Sequence, residues 1–312
     1  MNEPWERDVI EKTLLAAVTE QRRARRWAIF FRLTWLAVIL LVALPLFASW
    51  FGNSNDSLPA GGRPHAAVID INGVINNEND SARKISDGLK NAYKDPNTRG
   101  IILRANSPGG SPVLSGMAYD EIRRQKTLHP DIPVLVAVEE VCASGCYYIA
   151  SAADKIFANQ ASIVGSIGVL SEGFGFTGAM EKLGIERRLA TSGRDKGMGD
   201  PFSPQTPAQV SMRQELLDTI HGQFITAVRQ GRGKRLKTGE DLFTGRVWVG
   251  SQAVPLGLID GLSSVDAIAR EQLDTDNVVD FTPKDSFSSR LGKRLGMQIA
   301  DGVRDGLSMR WW

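Results

Sequence analysis

The sequence predicts an α/β domain built on a parallel sheet and preceded by an apolar, membrane-spanning helix. Three observations carry this. From residue 65 on, apolar runs of four to six residues alternate with longer mixed segments. Glycine, proline, serine or threonine punctuates the joins between them. Ahead of all this, residues 33–51 form a run of nineteen with no charged side chain.

The apolar run comes first in the chain. At about 1.5 Å rise per residue it nearly spans a hydrocarbon core of roughly 30 Å. Trp27, Trp35 and Trp50 stand near its ends, where aromatic belts form, and Pro45 is tolerated in such helices. Arg22, Arg23, Arg25, Arg26 and Arg32 precede it, which places the N-terminal end in the cytoplasm by the positive-inside rule. A cleaved signal peptide fits less well, because about thirty residues precede the run and no A-x-A site closes it. The expected organisation is a cytoplasmic tail (1–26), a membrane helix (27–51), a linker (52–64), a globular domain (65–280) and a C-terminal tail (281–312). Apart from the N-terminal arginines, a net charge of +2 gives no general footprint for nucleic acid.

Within the globular part, strands are expected at 66–71, 100–105, 134–138 and 155–158, each a short apolar run. Helices are expected between them at 82–93, 112–127 and 144–153. A longer one, about 206–230, opens on Thr206-Pro207, a favoured cap and first-turn pair. Strands that alternate with helices form parallel sheets covered on both faces.

Three segments carry chemistry. Asn106-Ser107-Pro108-Gly109-Gly110-Ser111 follows a strand and precedes a helix; its two glycines permit a sharp turn that leaves backbone N–H groups uncovered, as an oxyanion site requires. Taken alone it is also an ordinary strand-to-helix loop. Ser144 stands where a strand runs into a helix through small residues, which suits either an exposed nucleophile or a helix N-cap. The third segment, Thr191 to Phe202, holds Lys196 among glycines and charges. A nucleophilic serine needs a base, and histidine is scarce. His65, His129 and His221 have no evident triad partners, although His221 stays open as an alternative. A lysine serves if desolvation and local positive charge keep it neutral.

Taken in order, NSPGGS, ASGCYYIASAAD, GSIGV and SGRDKGMGDPF resemble the signal peptide peptidase A family, as does the later segment 245–261. The resemblance covers about 66–270. It implies the repeated ββα superhelix shared with Clp protease and crotonase, and a serine peptidase with a Ser/Lys dyad. Position by position, it implies Ser144 as nucleophile, Lys196 as general base, the N–H groups of Gly110 and Gly145 as oxyanion hole, and Ser166 as the residue that orients the lysine. It implies no cofactor and no metal, peptide substrates such as remnant signal peptides, and an anchor in a bacterial inner membrane with the catalytic domain periplasmic. Because no internal repeat is present, it also implies the short form of the family, a homo-oligomeric ring in which neighbours complete each other's sites. Two further readings stay open on the same fold: a crotonase-like acyl-CoA enzyme and a non-catalytic scaffold. Cys142 and Cys146 depart from the family pattern; they are expected as two buried thiols, since a spacing of four across an elbow argues against a disulfide.

Overall fold

The apolar runs become strands buried on both faces. In the computed structural model, which describes residues 22–23, 25–41, 43–44, 62–237 and 241–284, β1 (His65–Asn72), β2 (Thr98–Ser107) and β3 (Val134–Ala143) pair in parallel. Side chains at Ala67, Ile69, Ile71, Ile101, Leu103, Val134 and Val136 enter one core cluster, while Ala66, Val68, Ile102, Leu135 and Ala137 enter another. This is the period-2 alternation of a strand with an apolar layer on each side. Helices α1 (Ser81–Lys94) and α2 (Pro112–Leu128) supply Ile85, Leu89 and Ile122 to the first layer. The second is closed by Ile268 and Leu273 from the helix Val265–Leu273.

β3 decides where the site lies. Its first half, Leu135–Val138, pairs with Lys155–Ala158 (β4), and its last three residues pair with Ile163–Gly165 (β5). Glu139 and Glu140, between the two stretches, are exposed. One strand thus joins two sheet regions and delivers its tip, Ala143, beside the end of β5. The six-residue helix α3 (Gly145–Ala150) follows at once. β5 pairs antiparallel with β6 (Val247–Val249), whereas the other strand pairs among the described residues are parallel.

The four expected strands and the helices at 82–93, 112–127 and 206–230 are present, with ends shifted by a few residues. The helix expected over 144–153 is shorter, because the chain turns at Ser151. The long helix α5 (Pro207–Arg232), with α4 (Thr177–Lys182) lying before it in the chain, starts on a capping box between Thr206 and Gln209. Only its C-terminal part is buried, through Phe224, Ala227, Val228 and Arg232.

Arg232 anchors that end. It is 1% exposed and donates to Asp260 Oδ2 at 2.7 Å and to the Gly257 carbonyl at 2.9 Å. Arg235 donates to Asp260 Oδ1 at 3.1 Å, and the Ile156 N–H to Oδ2 at 2.7 Å. Burial pushes the Asp260 carboxyl up, but the hydrogen bond and charge of Arg232, the Ile156 N–H and Arg235 outweigh it and hold it below the usual range. A carboxylate held low contributes stability above its unfolded pKa of about 4, and that contribution is lost as pH falls through the folded value. Asp260→Ala strands a buried arginine, so it is expected to cost about 3 kcal/mol in denaturant unfolding at pH 7. The gap from the wild type is expected to narrow as pH drops below about 4.

The N-terminal helix belongs to a separate unit from the sheet domain. Its described residues are exposed, with Trp27, Phe30, Phe31, Leu33, Trp35 and Leu41 each more than half accessible. No helix among the described residues is long and apolar enough to cross a membrane. The expected span continues to residue 51, and residues 45–51 lie outside the described ones. So do residues 1–21 of the expected tail, 52–61 of the linker and 285–312 of the C-terminal tail.

Candidate active site

Ser144 occupies the single position between the end of β3 and the start of α3, with φ 51° and ψ −123°. L-residues rarely adopt this conformation, which costs about 1–3 kcal/mol and persists only where the surroundings over-determine it. Two backbone bonds do so here. The Ser144 N–H donates to the Gly165 carbonyl at 2.9 Å, and its own carbonyl accepts from the Tyr148 N–H at 2.9 Å. The side chain makes no capping bond to the helix. Ser144 thus occupies the N-cap position of α3 without its side chain capping the helix, so the hydroxyl at the elbow is not used as a cap.

The glycine loop packs directly against this elbow. Gly109 has φ 100°, and a Cβ there would lie 2.8 Å from Ser144 Cβ and 2.7 Å from the Gly145 nitrogen. Next to it, the Ile75 N–H donates to the Gly109 carbonyl and the Ser111 N–H donates to the Ile75 carbonyl, both at 2.8 Å. This parallel bridge uses the groups on either side of Gly110 and turns the Gly110 N–H and C=O away from Ile75. They face Gly145 instead, where an added Cβ would stand 3.2 Å from the Gly110 nitrogen. Among the described residues, neither the Gly110 nor the Gly145 N–H donates to a turn or loop carbonyl. The glycine loop and the Gly145 backbone are thus packed against the Ser144 elbow, and both glycines carry the type of N–H donor that an oxyanion site uses.

Gly145 has a second constraint that sequence reasoning missed. The Ser115 hydroxyl, buried and donating to the Ser111 carbonyl at 2.8 Å, lies 2.5 Å from where a Gly145 Cβ would be. Ser115 carries no motif, and nothing in the sequence signals its approach to Gly145.

Ser166 follows the carbonyl that Ser144 uses. It has φ 52°, and its N–H donates to the Arg246 carbonyl at 2.8 Å. His221, the alternative base, sits on α5 with Nε2 3.1 Å from the Ile167 carbonyl. A carbonyl only accepts, so Nε2 carries the proton and holds the Ser166 segment against the helix.

Lys196 is placed apart from this group. It lies in a run of turns, its N–H donating to the Gly193 carbonyl at 3.2 Å, with an exposed side chain. Among the described residues no hydrogen bond or ion pair links it to Ser144, and Arg194 is engaged with Asp195 at 3.3 Å. Most of the segment from Leu170 to Phe202 is exposed, with Leu170 78%, Phe174 82% and Leu183 72% accessible. The structure therefore brings together Ser144, Gly110, Gly145 and Ser166, and leaves Lys196 on an apolar arm.

The cysteines are corrected: Cys142 and Cys146 form a disulfide, not two thiols. The expectation of two thiols rests on a spacing of four across an elbow, and the geometry of the elbow overturns it. The positive φ at Ser144 folds the chain back, so the two Cα atoms stand 5.1 Å apart, inside the range a disulfide spans. Both are fully buried. Closing so short a loop stabilises the fold by about 2 kcal/mol in the chain-entropy account.

Comparison with known proteins bears on the family of the chain. The model of peptidase family S49 matches residues 126–279. Over 183 residues the chain is 42% identical to the Na(+)/H(+) antiporter NhaA of Brucella abortus (strain 2308), covering 59% of this chain and 25% of that protein. It is 33% identical over 218 residues to the "Putative signal peptide peptidase SppA" of Enterococcus faecium, covering 68% of this chain and 62% of that one. To the "Putative protease slr0021" of Synechocystis sp. it is 31% identical over 202 residues, 65% of this chain and 71% of the relative. The chain thus spans a quarter of the antiporter and just under two thirds of the Enterococcus protein.

Proposed function

The chain belongs to peptidase family S49, and on that premise we propose that it is a membrane-anchored serine endopeptidase working through a Ser144/Lys196 dyad. The observation that carries this reading is Ser144 at a positive-φ elbow, free of any capping bond and flanked by the Gly110 and Gly145 N–H groups.

In this mechanism the neutral Lys196 amine takes the proton of Ser144 Oγ as the oxygen attacks the scissile carbonyl. The carbonyl oxygen gains charge and accepts from the two glycine N–H groups. The lysine then gives its proton to the departing amine, and water releases the acyl group by the same route in reverse. Ser166, beside the Gly165 carbonyl that holds the elbow, orients the lysine amine.

Lys196 reaches this serine from a neighbouring copy. Its exposed loop, the absence among the described residues of any bond to Ser144, and the apolar arm around it support a ring in which arms pack on adjacent subunits. Burial in such a contact supplies the desolvation a neutral lysine requires. The substrates are remnant signal peptides or other hydrophobic, membrane-associated peptides. The uncharged run 33–51 and the exposed apolar side chains of the N-terminal helix support a single-pass anchor in a bacterial inner membrane, with the catalytic domain on the periplasmic side. Tethering there raises the local concentration of enzyme around such peptides.

A fluorophosphonate probe tests the reading on the full chain in detergent. Mass spectrometry is expected to find one adduct, on Ser144, together with cleavage of a hydrophobic peptide. Absence of any adduct on assembled, folded protein would refute the peptidase reading and favour a scaffold.

A further inference from the structure

The disulfide brackets the elbow at Ser144. Cys142 belongs to β3 and is paired in register with Ser107 of β2 and Val164 of β5, so it is fixed to the sheet. Cys146 lies in the first turn of α3. The bond between them closes a covalent ring of residues 142–146. That ring contains the nucleophile Ser144 and the oxyanion donor Gly145.

The ring also contains the strained residue. Ser144 lies at φ 51°, ψ −123°, and apart from the disulfide it is held by its bonds to Gly165 and Tyr148. Without the covalent tie, the start of α3 can move relative to the tip of β3, and the strain at Ser144 favours that movement. The hydroxyl and the Gly145 N–H then shift together relative to the Gly110 N–H, which belongs to a different loop. Both sulfurs are buried in the core cluster with Ile149 and Val164, where neutral thiols also pack, so the reduced domain is expected to stay folded although less stable.

We propose that Cys142 and Cys146 are positioning residues, and that oxidation of this pair switches the enzyme from a slow to a fully active state. The proposal rests on the reading of Ser144 as nucleophile. Oxidation is a thiol–disulfide exchange with a disulfide donor, either a small-molecule disulfide or a disulfide-carrying oxidoreductase. One cysteine thiolate attacks the donor and expels a thiolate; the second then attacks the mixed disulfide. The two cysteines lose two electrons and two protons, and the donor leaves as two thiols. Thiols stay reduced in the cytosol and are oxidised outside it. The peptidase is therefore slow until its domain has crossed the membrane.

The test uses the full chain in detergent and reads the second-order rate of fluorophosphonate addition to Ser144, alongside kcat and KM for a hydrophobic peptide. Thiol-reduced protein is expected to acylate about tenfold more slowly, with KM within about twofold, unchanged circular dichroism and two titratable thiols. Oxidised glutathione is expected to restore the rate. Cys142→Ala/Cys146→Ala is expected to stay at the reduced level and to ignore reductant. Equal acylation rates for reduced and oxidised wild type would overturn the proposal, and that comparison does not depend on the variant folding. Failure of both forms to label Ser144 would instead remove the nucleophile assignment, and the switch with it.

Discussion

Ser144→Ala is expected to lower peptide hydrolysis by about 10⁴-fold or more while leaving the fold untouched. The two halves of this expectation have different sources. The loss follows from removing the atom that forms the acyl bond, which no neighbour replaces: the Ser115 hydroxyl is committed to the Ser111 carbonyl, and Ser166 takes its strain elsewhere on the chain. The intact fold follows from what Oγ does not do. It caps no helix, so its removal uncovers no partner. Alanine suffers the same penalty as serine at φ 51°, so the strain term cancels. Unfolding free energy is expected to change by less than about 0.5 kcal/mol. A residual rate above background is expected from the Gly110 and Gly145 donors and from binding. A variant retaining a tenth of wild-type turnover would show that the nucleophile lies elsewhere.

Lys196→Ala is expected to cost about 10³-fold in kcat, without a change in the stability of the single subunit, in which the side chain is exposed and unpartnered among the described residues. Its sharper consequence is a complementation. If the lysine serves a neighbour's serine, a ring mixed from Ser144→Ala and Lys196→Ala subunits contains sites with both groups intact. Co-assembly of the two inactive variants is then expected to restore activity to about a quarter of the wild-type level. That figure is the share of adjacent pairs in which an intact serine meets an intact lysine when subunits mix at random. Mixed rings as inactive as either parent would place the dyad within one chain. A Lys196→Ala enzyme at near-normal turnover would remove the lysine altogether.

How far the sequence reaches is seen by comparing two neighbouring elements. β4 was legible as a strand because Ile156-Phe157-Ala158, behind Lys155, forms a bounded apolar run. β5, five residues later, was not, because Ile163–Gly165 is three residues long and owes its conformation to pairing with Val141–Ala143. Yet β5 supplies the carbonyl that holds Ser144. The same division runs through the site. The glycines at 109 and 110 announce unusual backbone in the sequence, since only they tolerate φ near 100° and 150°. Ser115 and the strained conformation of Ser144 carry no such signal, because serine occurs anywhere that is small and polar.

By itself the sequence determined the alternation of buried strands and helices, the glycine pair of the strand-to-helix loop, and the order of motifs by which the chain resembles its family. These are properties of local pattern: side-chain period, backbone permissiveness and residue type. Tertiary structure decided that Ser144 sits at a positive-φ elbow with no capping bond from its side chain, that the Gly109–Gly110 loop packs against Gly145, and that Cys142 and Cys146 are joined. Each of these depends on a distance between groups that the chain brings together only by turning at one residue held at positive φ. The position of Ser144 is set by β5 and the glycine loop pressing on it from outside its own segment.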